Sequence, residues 1–189
     1  MANKDAAFGL KPIGKVGQNR DSQGLSEYSI AASSTAIYFN DPVKMADTGE
    51  VQVAAAGNPL LGSLGGIFFT DASTSKPTYA NHLDASNTAT DIVGFVSDDP
   101  YERFEVQSDN SGASAQTDIG NVADIVYAAG SSPDYVSKVE LDDSDLATSD
   151  GQLKVIGLSR DPDNSDLTAA NVNWIVTINE HFLKQEAGV

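Results

Sequence analysis

The chain has 189 residues, no cysteine and a formal net charge of −16 at pH 7. A surface this acidic repels nucleic-acid phosphates and anionic lipid, so neither nucleic acid nor a membrane is expected as a partner. The lack of cysteine excludes disulfides, thiol chemistry and a zinc–thiolate site. No run of about 18 apolar residues is present to cross a membrane, and the first residues lack the apolar core of a signal peptide.

Charge divides the chain into two regions. Residues 1–20 carry four cations and one carboxylate, a net charge of +3, whereas the rest of the chain carries 7 basic and 26 acidic side chains, or −19. We therefore predict an extended cationic arm at 1–24 and an acidic β-rich body at 25–189.

The arm is predicted to be extended because Pro12 and several glycines would interrupt a helix. It also carries more apolar side chains than a solvated tail requires, namely Phe8, Leu10, Ile13 and Val16. Terminal segments of this kind are often ordered by a partner, so we expect the arm to dock on another surface. A separate arm also implies that its deletion leaves the body folded.

The body reads as about ten short strands separated by turns. Apolar alternation and β-forming residues predict strands at Glu27–Ile30, Ala36–Met45 (broken at Asn40-Asp41-Pro42), Val51–Val53, Leu60–Phe69, Ile92–Val96, Phe104–Gln107, Ile119–Ala128, Tyr135–Leu141, Val155–Leu158 and Trp174–Phe182. Helical periodicity is almost absent. The sequence therefore predicts an all-β fold, a single β-barrel or β-sandwich-like body of short strands with an extended N-terminal arm.

Two features inside the body lead to specific expectations. Asp98-Asp99-Pro100 should form a corner between strands, because Pro100 cannot donate to a ladder and the aspartates can close a turn. Phe95, in the strand before this corner, is expected in the core. Thr70–Thr90 is a long polar insertion, and loops of that length are usually functional or lie against a partner.

The sequence offers little chemistry. His82 and His181 occur in unlike contexts and are interpreted as a solvated loop histidine and a strand-end histidine. The acidic run that starts at Asp161 fails the calcium-loop pattern, since Asp166 occupies the sixth position, where glycine is required. The run that starts at Asp142 is dense but has no ligand spacing. We expect no catalysis, no cofactor and no metal.

Aromatic residues lie in or beside the predicted strands and could line a sugar-binding face, but core packing explains them more economically. They are Tyr28, Phe39, Phe68, Phe69, Phe95, Phe104, Trp174 and Phe182.

Several segments together resemble virion proteins of tailed bacteriophages. They are FGLKPIGKVG at 8–17, the step Gly24-Leu25 followed by Glu27-Tyr28, IYFNDPVKM at 37–45, VGFVSDDPYERFEVQ at 93–107, VIGLSRDPDN at 155–164 and WIVTINEHF at 174–182. The similarity is to small capsid decoration, or cement, proteins. It implies a β-rich virion protein on the outside of the icosahedral head, made in the host cytoplasm, that clamps neighbouring major capsid subunits and stabilises the capsid.

The expected partner is therefore the major capsid protein, and a homo-oligomer on the shell, trimer or dimer, is a further expectation. We expect the arm to be the anchor, with apolar side chains buried against the shell and cations paired with carboxylates at its rim. The expected contact residues are Phe8, Leu10, Lys11, Pro12, Ile13, Lys15 and Arg20. The alternative is a carbohydrate- or receptor-binding β module of a tail fibre or adhesin, which would expose an aromatic platform.

Overall fold

The computed structural model describes residues 3–17, 24–32, 34–147 and 149–184, and its regular structure is almost entirely β. The strands are β1 (Lys11–Lys15), β2 (Ser26–Ser29), β3 (Pro42–Met45), β4 (Val51–Val53), β5 (Gly62–Thr70), β6 (Pro77–Ala80), β7 (Val93–Ser97), β8 (Glu102–Gln107), β9 (Val122–Ala123), β10 (Ile125–Val126), β11 (Glu140–Leu141), β12 (Leu153–Leu158) and β13 (Asn173–Ile178). Single 3₁₀ turns occupy Gln116–Asp118, Asp143–Asp145 and Phe182–Lys184. The prediction of an all-β body is confirmed.

The strands form two antiparallel sheets and one small ribbon. The first sheet has the order β1-β8-β13-β12-β9, and the second has the order β2-β7-β5-β3-β4. Strand β6 joins the second sheet by pairing with the last four residues of β5, beyond the part that pairs with β3. Strands β10 and β11 pair with each other.

Each sheet has its own hydrophobic core. The first core gathers the inward-facing side chains of the first sheet around Trp174 and Phe104, both completely buried. The second core is mainly aliphatic, with Phe69 among its members, and gathers around Leu64, Ile67 and Val96. The glycine-rich stretch at Leu60–Phe69 is the buried, bulged strand that its sequence predicts, with the bulge between Leu64 and Gly66.

The Asp98-Asp99-Pro100 corner is confirmed, and it carries the chain from the second sheet to the first. Strand β7 before it pairs with β2 and β5, whereas β8 after it pairs with β1 and β13. Asp99 closes the turn by accepting the Tyr101 N–H on its side chain (2.8 Å) and the Glu102 N–H on its carbonyl (2.9 Å). Asp98 accepts the Tyr28 hydroxyl at 2.6 Å, which ties β2 to the same corner.

Two expectations about side-chain direction and loops are wrong. Phe95 is half-buried and belongs to neither core, because Gly94 and Val96 occupy the inward-facing positions of β7. Ile30 packs closely on Gly94: a Cβ at position 94 would lie 2.7 Å from the Cδ1 of Ile30. Glycine therefore occupies this inward-facing position, and Phe95 faces the other side of the sheet. The polar insertion Thr70–Thr90 is also not a bare loop, since it contains β6.

The N-terminal segment, residues 3–17, is extended as predicted but is not a separate arm. Its strand β1 pairs with β8 at the edge of the first sheet, and Leu10 is completely buried in the first core. Gly9 adopts a φ of 73° against Asn40 and Ser137, where a Cβ would overlap both. The boundary expected at residue 24 therefore does not separate a free arm from the body.

Buried amide side chains hold the start of this segment. Gln107 accepts the Ala6 N–H (2.8 Å) and donates to the Lys4 carbonyl (3.0 Å). Asn164 donates to the same Lys4 carbonyl at 2.7 Å, and Asn40 donates to the Phe8 carbonyl at 3.2 Å. Deleting the segment would remove these four hydrogen bonds, each of which contributes about 0.5–1.5 kcal/mol to stability.

Leu10→Ala tests whether the N-terminal segment is part of the folded body. We expect the free energy of unfolding to fall by about 2–5 kcal/mol, because the change removes a fully buried side chain. The control is Ile13→Ala in the same strand, where the side chain is exposed and a change of about 0.5 kcal/mol is expected. Urea denaturation followed by tryptophan fluorescence measures both. Equal, small losses would show that the segment is not packed on the body.

Candidate functional site

The structure places the expected capsid-contact residues along β1 and the segment before it, with very different accessibility. Leu10 is buried, so it cannot contact a partner as expected. Phe8 and Pro12 are half-buried, whereas Lys11 and Ile13 are exposed. Lys15 lies near the corner, and Arg20 lies outside the described residues.

The lysines of β1 already have partners in the body. The Lys11 ammonium lies 3.2 Å from Glu105 and 5.8 Å from the centre of the Phe8 ring, and the Lys15 ammonium lies 2.7 Å from Asp99. The hydrogen bond from Lys15 holds the pKa of the Asp99 carboxyl below its usual range. These ion pairs hold β1 in register on the body, so both lysines have carboxylate partners within the chain.

Three parts of the chain come together at the Asp98-Asp99-Pro100 corner, and each of them carries an exposed apolar side chain. The Val16 N–H donates to the Tyr101 carbonyl at 2.8 Å, which places the end of β1 beside the corner. The Lys184 ammonium lies 4.5 Å from the centre of the Tyr101 ring and donates to the Pro100 carbonyl at 2.7 Å. We call the group Ile13, Val16, Tyr101, Leu183 and Lys184 the corner patch.

The C-terminal part of the patch is positioned by backbone pairing. Leu60 and His181 form a β-bridge. The Leu60 N–H donates to the Glu180 carbonyl (2.9 Å), and the Phe182 N–H donates to the Leu60 carbonyl (2.8 Å). The 3₁₀ turn Phe182–Lys184 then ends over the corner. The backbone at the patch is thus held by hydrogen bonds, while the side chains remain open to solvent: Val16 is 52% exposed, Tyr101 62% and Leu183 51%.

Sequence reasoning found the β1 side of this patch and missed the rest. Tyr101 follows Pro100 in a turn, and an aromatic side chain in a turn is a signal that could have been used. Leu183 and Lys184 carry no such signal, because their place depends on the long-range pairing of His181 with Leu60.

The histidines do not form a catalytic arrangement with each other. His82 is not a solvated loop histidine, since its ring stacks on Tyr135 with the centroids 3.8 Å apart. His181 lies three residues beyond β13, in the bridge to Leu60, and is buried. Burial lowers the pKa of its ring to about 4. Within the described ranges, no group of three or more His, Asp or Glu side chains could hold a metal ion.

The two acidic runs use their carboxylates to close turns. Asp142 accepts the Ser144 N–H at 2.8 Å, and Asp161 accepts the Asp163 N–H at 3.0 Å. Asp143, next to Asp142, is buried, and burial raises the pKa of its carboxyl to about 6. These contacts are local turn chemistry.

Comparisons with known proteins give no identification: no family model, no curated protein and no solved structure matches the chain. In the part of the chain that the structure describes, no helix is long and apolar enough to cross a membrane. A functional assignment therefore depends on the surface of the molecule and on the sequence resemblance.

Asp41→Asn tests the most deeply buried carboxylate. Asp41 is completely buried and accepts the Tyr38 N–H at 2.8 Å, while its Oδ1 has no hydrogen-bond partner. Burial raises the pKa of its carboxyl to about 6 from 3.8. The native state therefore binds the proton more tightly than the unfolded chain, so this stabilisation is complete below the unfolded pKa and is lost as the pH rises through the folded pKa.

We expect Asp41→Asn to be more stable than the unsubstituted protein at pH 7, by an amount on the order of 3 kcal/mol. The difference should shrink as the pH falls from 7 to 4. Denaturant unfolding of both proteins across this range measures it. If the unfolding free energies of the two proteins changed with pH in parallel, ionisation of Asp41 would not destabilise the native state.

Proposed function

We propose that the protein is a virion structural protein that binds the outside of an icosahedral bacteriophage head and cements neighbouring major capsid subunits. The sequence resemblance to decoration proteins suggests this function. The observation that carries it is the corner patch, where the end of β1, the corner and the C-terminal 3₁₀ turn present exposed apolar side chains together.

The patch has the composition of a protein-binding surface. Tyrosine is enriched at the energetic centres of interfaces because it buries a large apolar ring and keeps a polar tip. Tyr101 would be that centre, with Val16 and Leu183 beside it and Lys184 already oriented over its ring. Strand pairing and the corner turn hold the backbone in place, so docking would cost little ordering of the chain.

Charge would set the orientation of docking. Acidic side chains outnumber basic ones by 27 to 11, so most of the surface repels an acidic shell. The patch combines Lys184 with apolar groups, and at its edge Lys15 pairs with Asp99 and offsets that carboxylate, so this face is the one expected to meet such a shell. The major capsid protein is repeated over the head, so many modest contacts of this kind would stabilise the shell collectively.

The edge of β1 is unsuited to a different docking mode, addition of a partner strand. Pro12 lacks an N–H, and the register of β1 shifts between Pro12 and Gly14, a bulge that twists the edge. Lys11 and Lys15 add charges to the same edge. The proposed docking therefore uses side chains of the patch and not backbone pairing.

The double variant Val16→Ser with Tyr101→Ser tests the proposal. Mixed with undecorated heads and sedimented, it should bind roughly tenfold or more weakly than the intact chain, because the exposed apolar centre is lost. The matched control is Ile156→Ser, which replaces an exposed apolar side chain of β12 (38% exposed) outside the patch and should pellet normally. Gel quantitation of the pellets gives the bound fraction.

Thermal unfolding of the free variants shows that each is folded before the binding result is used. Raising the salt concentration should weaken the binding of the intact chain by a small factor, since lysines near the surface are screened. If the double variant pelleted as well as the control, the corner patch would not be the docking surface.

The alternative function, carbohydrate or receptor binding, requires an exposed aromatic platform. Tyr79 in β6 is 64% exposed, and this exposed aromatic residue is the observation that favours carbohydrate recognition. This surface consists of residues other than those of the corner patch, so the two functions do not exclude each other.

A further inference from the structure

We propose that the outer face of β5, β6 and β7 binds a neutral carbohydrate chain, with a sugar ring stacked on Tyr79. We call Phe68, Tyr79 and Phe95 the aromatic platform. All three side chains point away from the second core, as the strand alternation of β5, β6 and β7 shows. The inference does not depend on attachment to a phage head.

The platform is built on a glycine. Tyr79 is the direct cross-strand partner of Phe68, and its ring extends diagonally over Gly66, where a Cβ would overlap the tyrosine hydroxyl. Phe95 is the cross-strand partner of Gly66 on the other side, and its ring centre lies 5.9 Å from that of Tyr79. Glycine at position 66 therefore lets the tyrosine ring lie down on the sheet beside Phe95, while most of the side chain stays open to solvent.

A ring supported in this way is prepared for stacking. The π-face of an aromatic ring is electronegative, and the C–H groups on one face of a sugar ring carry partial positive charge, so the two attract. The ring needs no rearrangement to bind, because Gly66 below and Phe95 beside it already fix its position.

Polar groups border the aromatic strip on one side. In β2, Glu27 is the cross-strand partner of Phe95, and Ser29 is the partner of Val93, which in turn lies opposite Phe68. Both side chains are exposed. A carboxylate and a hydroxyl beside the aromatic rings can form hydrogen bonds with sugar hydroxyls: the carboxylate accepts them, and the hydroxyl can also donate. Neither group would add to a purely apolar interface.

Charge selects the class of ligand. With a net charge of −16 and Glu27 at the edge of the platform, the chain disfavours nucleic acids, anionic lipids and acidic polysaccharides. The platform itself carries no cation to pair with them, since its members are aromatic. A neutral carbohydrate presents C–H faces for the rings and hydroxyl donors for Glu27.

The test is isothermal titration calorimetry of the full chain with three neutral probes: maltohexaose, cellohexaose and chitohexaose. We expect at least one to bind. Tyr79→Ala should weaken that binding roughly tenfold, whereas Tyr79→Phe should retain it because the ring remains. The matched control is Tyr101→Ala, which removes a tyrosine of equal exposure (62% against 64%) from the corner patch and should leave carbohydrate binding unchanged.

The same variants separate this inference from the proposed function, because Tyr79→Ala should pellet with heads as the intact chain does, whereas Tyr101→Ala should bind them more weakly. Absence of binding to all three probes would overturn the inference, as would equal losses from Tyr79→Ala and Tyr101→Ala. Sedimentation velocity tests whether a second copy of the chain, and not a carbohydrate, covers this face. If the intact chain dimerised and Tyr79→Ala were monomeric, the platform would be an interface between two copies and not a carbohydrate site.

Discussion

The anchoring of the N-terminal segment to the first sheet is the interaction on which the rest of the structure depends. Strand β1 completes the edge of that sheet, Leu10 fills its core, and the Gly14 N–H donates to the buried carboxylate of Glu102 at 3.0 Å. The residues around β1 thereby become part of a rigid surface. The N-terminal segment, predicted to be a separate cationic arm, is instead part of the first sheet, and its exposed side chains are held in fixed positions.

The division of the core into two clusters explains why functional surfaces arise where they do. The two sheets, with their separate cores, are joined by segments outside the regular strands, which we call crossing segments. The Asp98-Asp99-Pro100 corner is one, and the residues paired at the Leu60–His181 bridge form another. Crossing segments leave the regular ladder, so their side chains are not obliged to face a core. Tyr101 and Leu183 are exposed for this reason, and the corner patch follows from the way the sheets are connected.

Local sequence patterns sufficed for the fold class, the corner and the bulged strand Leu60–Phe69, because each depends on propensity and turn chemistry within a few residues. The direction of Phe95 was not predictable, since it is set by Gly94 against Ile30, a contact between strands. The same holds for the anchoring of Leu10. Of the corner patch, the sequence indicated the exposed Ile13 but not the C-terminal residues. Of the aromatic platform, it offered Phe68 and Phe95 as possible members of a sugar-binding face, but it did not indicate Tyr79, whose place depends on the pairing of β5 with β6.

Hydrogen–deuterium exchange of the free protein, read by mass spectrometry or NMR, tests directly whether the N-terminal segment is part of the folded body. We expect the amides of Leu10, Gly14 and Val16 to exchange slowly, because they donate to Asn40, Glu102 and Tyr101 within the body. Their protection should be comparable with that of β8 and should be lost together with it as denaturant is added. Exchange of these three amides at the rate of an unstructured peptide, while β8 stayed protected, would show that the N-terminal segment is a free arm and not part of the first sheet.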